Sequence, residues 1–328
     1  MKVKTILPIL VGFALAGGTT HAQTPQPSQS APPTVYTYKF TPNKPLRYKI
    51  VAYIKGIIPV LNSVPSEDMD ATLTLVYDAI PSVAPTANDT NLHFNVVSAD
   101  AEVEKIPFPI DPQQAAAILN QSITLAPTGQ VVDTAPSQKL PFSITIPGVD
   151  PTKFYSLLLP IVFPQTPIAP GDTWTFDNPF FGNTGAPPVT NAVFLPAPKG
   201  TNPAISENLL KDPFIPHSTD YANFGEQFSL KIDQKLDQAK KPVPDGVSPY
   251  QTRNGFIMGE GIFSYDKKTG VFTKGEMLIK AEILDKILGV PVSPDIPKET
   301  NSHIKAKVMI KLLGSPTSTT ATTSEKTQ

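Results

Sequence analysis

From residue 259 to 283 the chain reads GEGIFSYDKKTGVFTKGEMLIKAEI, and apolar or small side chains alternate with polar ones on either side of a polar turn. Successive side chains of a strand point to opposite faces, so period-two alternation fits a strand with one buried face and not a helix of period 3.6. The stretch therefore reads as two strands closed by Asp266-Lys267-Lys268-Thr269-Gly270, with Gly270 supplying the positive φ of the turn. A shorter echo, LAPTGQV at 125–131, reads as a second hairpin.

The same alternation runs through most of the chain. Leu46, Tyr48, Ile50, Ala52 and Ile54 oppose Arg47, Lys49 and Lys55. Leu73, Leu75 and Tyr77 oppose Thr72, Thr74 and Asp78, and Leu92, Phe94 and Val96 continue the series. Phe228, Leu230 and Ile232 alternate with Ser229, Lys231 and Asp233. The last run sets Ile304, Ala306, Val308, Ile310 and Leu312 against Lys305, Lys307 and Lys311. Lysines on one face of a strand place that face in water, the usual arrangement of an antiparallel sheet. The 38 prolines exclude long uninterrupted helices. Short helices are expected where an N-cap precedes proline: Asp111-Pro112 through Leu119, Asp150-Pro151 through Leu158, and Asn202-Pro203 through Leu210. The Gly-, Pro- and Asn-rich stretch 178–203 reads as a long excursion.

The first 22 residues read as a secretory signal. Lys2 and Lys4 precede an apolar run from Ile6 to Gly17, and Thr20-His21-Ala22 offers the small residues a signal peptidase reads, with cleavage before Gln23. The run is short for a membrane span of about 20 residues. With no cysteine in the chain there is no lipoprotein anchor, disulfide, thiolate nucleophile or cysteine metal site. The expected location is the periplasm or the cell exterior. Residues 23–34 and 315–328 read as disordered Pro/Gln/Ser and Ser/Thr segments. A net charge of −1 gives no electrostatic case for nucleic acid or an anionic membrane.

An internal echo divides the remainder. Pro42-Asn-Lys-Pro-Leu-Arg-Tyr48 lines up with Pro170-Gly-Asp-Thr-Trp-Thr-Phe176, each a Pro-led turn ahead of several strands and a glycine hairpin. The fold class expected is mainly β with an α+β margin: two similar curved antiparallel sheets or half-barrels, each with a short helix. The first unit covers 35–149 and the second 170–314, joined by a helix and Pro-rich connector at 150–169.

Little in the chain carries chemistry. His21 leaves with the signal, and His93, His217 and His303 lie in unrelated segments. His217-Ser218-Thr219-Asp220 puts triad residue types side by side, but a triad needs convergence in space with histidine between the other two. Asp100, Glu102 and Glu104 alternate along one strand and read first as a solvated strand face or a charged sheet edge; a glycosidase pair or Ca²⁺ site is the other reading. Glu67-Asp68-Met69-Asp70 lacks the glycine and terminal glutamate of a calcium loop. No catalytic residue, metal site or cofactor is expected. The apolar runs say more: Phe154, Leu157, Leu158, Ile161 and Phe163, with Phe180 and Phe181 further on and Ile57-Ile58-Pro59-Val60-Leu61 upstream. Such groups line a pocket for an apolar ligand between sheet and helix, or pack as core. Trp174, the only tryptophan, reads as a core anchor at a strand start.

The Pro170-Gly171-Asp172-Thr173-Trp174 turn and the hairpin from Asp266 to Gly270 resemble an uncharacterised family of exported bacterial β-rich proteins, over roughly Tyr36 to Leu313. Long strands with short helices are also distantly similar in architecture to the half-barrel of periplasmic lipoprotein carriers, which hold acyl chains. No catalytic residue carries over from either resemblance. The leader, the charge balance and the Phe154–Phe163 cluster together lead to the expectation of an exported, non-enzymatic cell-envelope protein with a hydrophobic small molecule or lipid as partner, no nucleic acid and no stable membrane span. Two other readings remain open: an adaptor whose sheet surface meets a protein partner, and a carboxylate-dependent hydrolase.

Overall fold

The structure is a computed structural model that describes residues 32–57, 68–86, 88–134, 151–180, 189–237, 250–288 and 299–316. Its strands are β1 (Leu46–Gly56), β2 (Met69–Val83), β3 (Thr90–Val103), β4 (Ile106–Phe108), β5 (Gln121–Leu125), β6 (Val131–Thr134), β7 (Thr173–Asp177), β8 (Val189–Leu195), β9 (Tyr221–Asp237), β10 (Tyr250–Asp266), β11 (Val271–Leu288) and β12 (Glu299–Gly314). Helices are α1 (Pro112–Leu119) and the single turn α2 (Glu207–Leu210), with a 3₁₀ segment at Pro151–Leu157. The mainly β expectation holds.

All pairing is antiparallel, and the strands form one sheet in the order β6-β5-β3-β2-β1-β12-β11-β10-β9-β8-β7, with β4 added beside β3. The strands of 35–149 and of 170–314 are therefore continuous, joined where β1 pairs β12. The register Ile50↔Ile310 and Ala52↔Val308 puts the even positions of both strands on one apolar face. That inner face gathers Ile50, Leu75, Leu92 and Ile123 from one half and Phe224, Phe228, Ile257 and Ile283 from the other into a single core.

Both sequence-predicted hairpins form, and both close on the same piece of chain. Tyr38 N–H donates to Pro127 O at 2.8 Å in the β5–β6 turn, and Lys39 N–H donates to Gly270 O at 3.0 Å in the β10–β11 turn. The two turn glycines have left-handed φ, 92° at Gly129 and 74° at Gly270. A Cβ on Gly129 would lie 2.5 Å from the Tyr38 ring, and one on Gly270 would lie 2.6 Å from Lys39 Cβ. Each glycine thus serves the turn and the close approach of the extended segment at once. The two Pro-led turns also share geometry: Asn43 and Gly171, each following the proline, have φ of 61° and 97°. The strands they open lie at the sheet centre (β1) and the sheet edge (β7).

Three local readings change. The excursion at 178–203 contains β8, whose apolar run VTNAVFL is short and framed by the Pro and Asn residues that signalled loop. The third helix starts at Glu207, well after Pro203, and lasts one turn without a side-chain cap from Ser206. The second is a 3₁₀ segment with non-helical φ/ψ at Lys153. The first is as expected: Asp111 accepts from Gln113 N–H at 2.9 Å and Pro112 takes the first helical position.

Residues 155–163 run through the middle of this core. Leu157, Leu158, Ile161 and Phe163 are buried, and the last of these has five aromatic rings within 6.0 Å: Tyr36, Tyr38, Phe224, Tyr265 and Phe272. Backbone groups tie the segment to both halves. Phe163 N–H donates to Thr128 O at 2.8 Å, Tyr38 Oη to Ile161 O at 2.9 Å, and Trp174 Nε1 to Val162 O at 2.7 Å. Phe163→Ala removes a ring that contacts both halves, so it should cost about 3–5 kcal/mol of stability in urea denaturation. A loss below about 1 kcal/mol would contradict this packing.

Candidate functional site

The apolar residues singled out in the sequence are core in this structure. Leu157, Leu158, Ile161, Phe163 and Phe180 belong to the main cluster and Phe154 packs against it. Phe154 stacks on Tyr77 and meets Phe180 edge-on. None of them lines either of two cavities found among the described residues. Phe181 and residues 58–61 lie outside the described residues. The smaller cavity, about 240 Å³, sits between the β5–β6 turn, Lys153 to Val162 and Phe176 to Pro179.

The larger one, about 820 Å³, is an open trough on the opposite face of the sheet. It crosses six neighbouring strands, from Tyr53 and Lys55 on β1 through Lys305 and Lys307 on β12, Leu278 and Lys280 on β11, Met258 and Glu260 on β10, and Gln227 and Ser229 on β9, to Asn191 on β8. At about 4.8 Å per strand the crossing is roughly 24 Å long. Tyr53 and Met258 are 44% and 42% exposed, so the trough offers apolar surface to solvent. Its volume falls in the range of about 300–1,000 Å³ typical of small-molecule sites.

One wall is set by a second, small core on the outer face. Ile205, Leu209 and Ile215, from α2 and its flanks, pack on Val193 and Ile262, joined by Phe214 and Leu278. An ion cluster fastens this excursion to the sheet: Lys307 Nζ lies 2.8 Å from Glu276 Oε1 and 3.4 Å from Asp212 Oδ2. Burial raises the Glu276 carboxyl pKa, while the Phe214 backbone N–H lowers that of Asp212. Lys274 Nζ sits 5.1 Å from the centre of the Phe214 ring. Glu260, the one carboxylate of the trough lining, accepts from Ser206 N–H at 3.0 Å and is thereby engaged with the α2 flank.

The carboxylate row of β3 is turned outward by a bulge. Tyr77 pairs Val96 but Val76 pairs Ser98, which leaves Val97 extra and swaps the face of everything after it. Leu92 and Phe94 are buried ahead of the bulge; Asp100 and Glu102, of the same parity, are exposed beyond it. Their partners on β2 are Thr74 and Thr72, so neither faces a second acid across that pair. Glu104 lies in the β3–β4 turn and accepts from Asp70 N–H. The residues from His217 to Asp220 form an exposed loop whose backbone carbonyls at Thr219 and Asp220 accept from Lys267. Among the described residues no group of three His, Asp or Glu is placed to hold a metal ion. No described helix is long and apolar enough to cross a membrane.

Two buried charge sites escaped the sequence reading. Arg253 and Asp285 form a bidentate pair at 2.7 and 3.0 Å on the inner face of β10 and β11. Glu226 stands in the apolar row of β9 between Phe224 and Phe228, opposite Ala192 and Gly261, at 0% exposure. Neither carboxyl oxygen has a hydrogen-bond partner among the described residues, and burial pushes its pKa from near 4.5 up to about 8. Only the small side chains opposite admit it; the signal in the sequence was one acid at an in-facing position of an otherwise apolar row.

No family model matches the sequence, and a search of curated proteins finds no match either. Among solved structures the chain is similar to lipovitellin, in a structure titled for its lipid–protein interactions, with TM-score 0.44 and 12% identity over 86% of this chain. The chain spans 27% of the length of that one. It is also similar to Salmonella typhi OmpF in complex with daunomycin, with TM-score 0.17 and 8% identity over 82% of this chain and 98% of the other.

Glu226 yields a pH test. Between its ordinary and raised pKa the folded protein holds one proton more than the unfolded chain, so stability falls as pH rises from about 4.5 to about 8 and levels off above. The contribution is at most about 1.4 kcal/mol per pH unit. Urea denaturation across pH 5–9 should show this slope in the native protein and lose it in Glu226→Gln. Equal slopes in both would refute the assignment.

Proposed function

We propose that the protein is an exported, non-enzymatic cell-envelope protein that holds an amphiphilic molecule in the outer trough. The observation that carries this reading is the trough itself: about 820 Å³, floored by Tyr53, Met258 and Leu278, on a sheet whose other face is filled by its own aromatic core. Folding gains nothing from leaving a tyrosine on β1 and a methionine on β10 half exposed along one trough, whereas an acyl or other apolar body laid across them removes that surface from water. Polar groups at the rim (Asn191, Gln227 and Ser229) orient an amphiphile without a reactive group being required. The leader read in residues 1–22 supplies the address.

Native mass spectrometry of the purified protein, with solvent extraction, should recover an apolar molecule. Met258→Glu puts a charge into the floor at an exposed position and should weaken binding of a neutral-headed acyl probe by tenfold or more, since about 1.4 kcal/mol is a factor of ten. An empty extract together with unchanged probe binding by Met258→Glu would count against the trough as a ligand site.

A further inference from the structure

We infer that the trough selects an amphiphile with an anionic head group, held over a row of three lysines; this rests on the reading of the trough as an amphiphile site. The pairing register stacks Lys55, Lys305 and Lys280 directly opposite one another across β1, β12 and β11. Like charges facing each other across strands oppose sheet formation, and an anion lying over such a row relieves that repulsion. All three side chains line the trough.

Their surroundings single out the middle one. Lys55 Nζ has Asp70 at 2.7 Å, and Lys280 Nζ has Glu282 at 2.6 Å. Lys305 has no carboxylate partner among the described residues, and it is exposed. Lys307, the fourth lysine of the lining, is held by Glu276 and Asp212, and Glu260 is turned to the Ser206 amide. Among the described residues the unmatched cation of the trough lining is therefore Lys305, two residues along β12 from the paired Lys307 and flanked by two further ammonium groups. Tyr53, Leu278 and Met258 lie one register step or one strand away from that row. A carboxylate, phosphate or sulfate head at Lys305 leaves its apolar body across these side chains and the lysine stems.

A second row, Lys49, Lys311 and Lys274, crosses the same three strands six residues further along, roughly 20 Å away. None of its members lines the trough, which makes it an internal control for general electrostatic attraction.

The test is isothermal titration with three probes below micelle concentration: dodecyl phosphate, dodecyl maltoside and inorganic phosphate. Dodecyl phosphate should bind about tenfold tighter than the maltoside, with the preference falling as salt rises. Lys305→Gln should remove that preference and leave maltoside binding intact; Lys311→Gln should leave both unchanged. Equal binding of the two dodecyl probes overturns the anionic-head inference while the amphiphile reading stands. A preference lost equally in Lys311→Gln overturns it as well. Binding of inorganic phosphate as tight as dodecyl phosphate, or binding of neither dodecyl probe, overturns both.

Discussion

Phe163 is the point at which the connector meets both halves of the sheet from within: its backbone N–H donates to Thr128 O in the β5–β6 turn and its ring packs on β9 to β11. It touches Tyr36 and Tyr38 on the extended segment, Phe224 and Tyr265 on β9 and β10, and Phe272 on β11. The extended segment in turn receives both hairpin turns through Pro127 and Gly270. The twelve-stranded sheet has a large apolar face and, among the described residues, two short α-helices to cover it, so the connector supplies much of the cover. Residues 155–163 do so with side chains that are almost wholly buried and with backbone carbonyls capped by Tyr38 and Trp174. With the inner face filled this way, the larger of the two cavities lies on the outer one.

The outer face carries two opposed demands. Near α2 it is packed like a second core around Ile262 and Val193. Over β1, β12 and β11 it is lined with lysines, some neutralised by neighbours and one at the trough without an acid partner among the described residues. The protein as a whole is almost neutral, with 27 basic and 28 acidic residues, so the concentration of lysine there is a matter of register and not of composition.

Much of this was legible in the sequence because strand alternation is local. The paired strands around the 266–270 turn, the faces of β1 and β12, and the capped start of α1 all follow from residues close in the chain. Partner choice is not local: nothing in residues 46–56 names β12 as a neighbour, and so neither the continuous sheet nor the stacked lysine rows could be read. Asp100 and Glu102 share the parity of the buried Leu92 and Phe94 and yet face water, because Val97 is one inserted residue, which alternation alone does not reveal. Glu226 broke a hydrophobic row in a way that pattern reading passes over, because its tolerance depends on Ala192 and Gly261 from two other strands. The run from Phe154 to Phe163 was visible as apolar, but whether it lines a space or fills one depends on the sheet that closes over it.

The central claim is that the ligand lies outside the sheet. Photo-cross-linking with a diazirine-bearing acyl phosphate, followed by peptide mapping, tests it directly. Labels on Tyr53, Met258, Leu278 or their neighbours on β12 are the predicted result. Labels confined to residues 154–163 and their inner-face partners would contradict it and return the site to the space beneath the sheet.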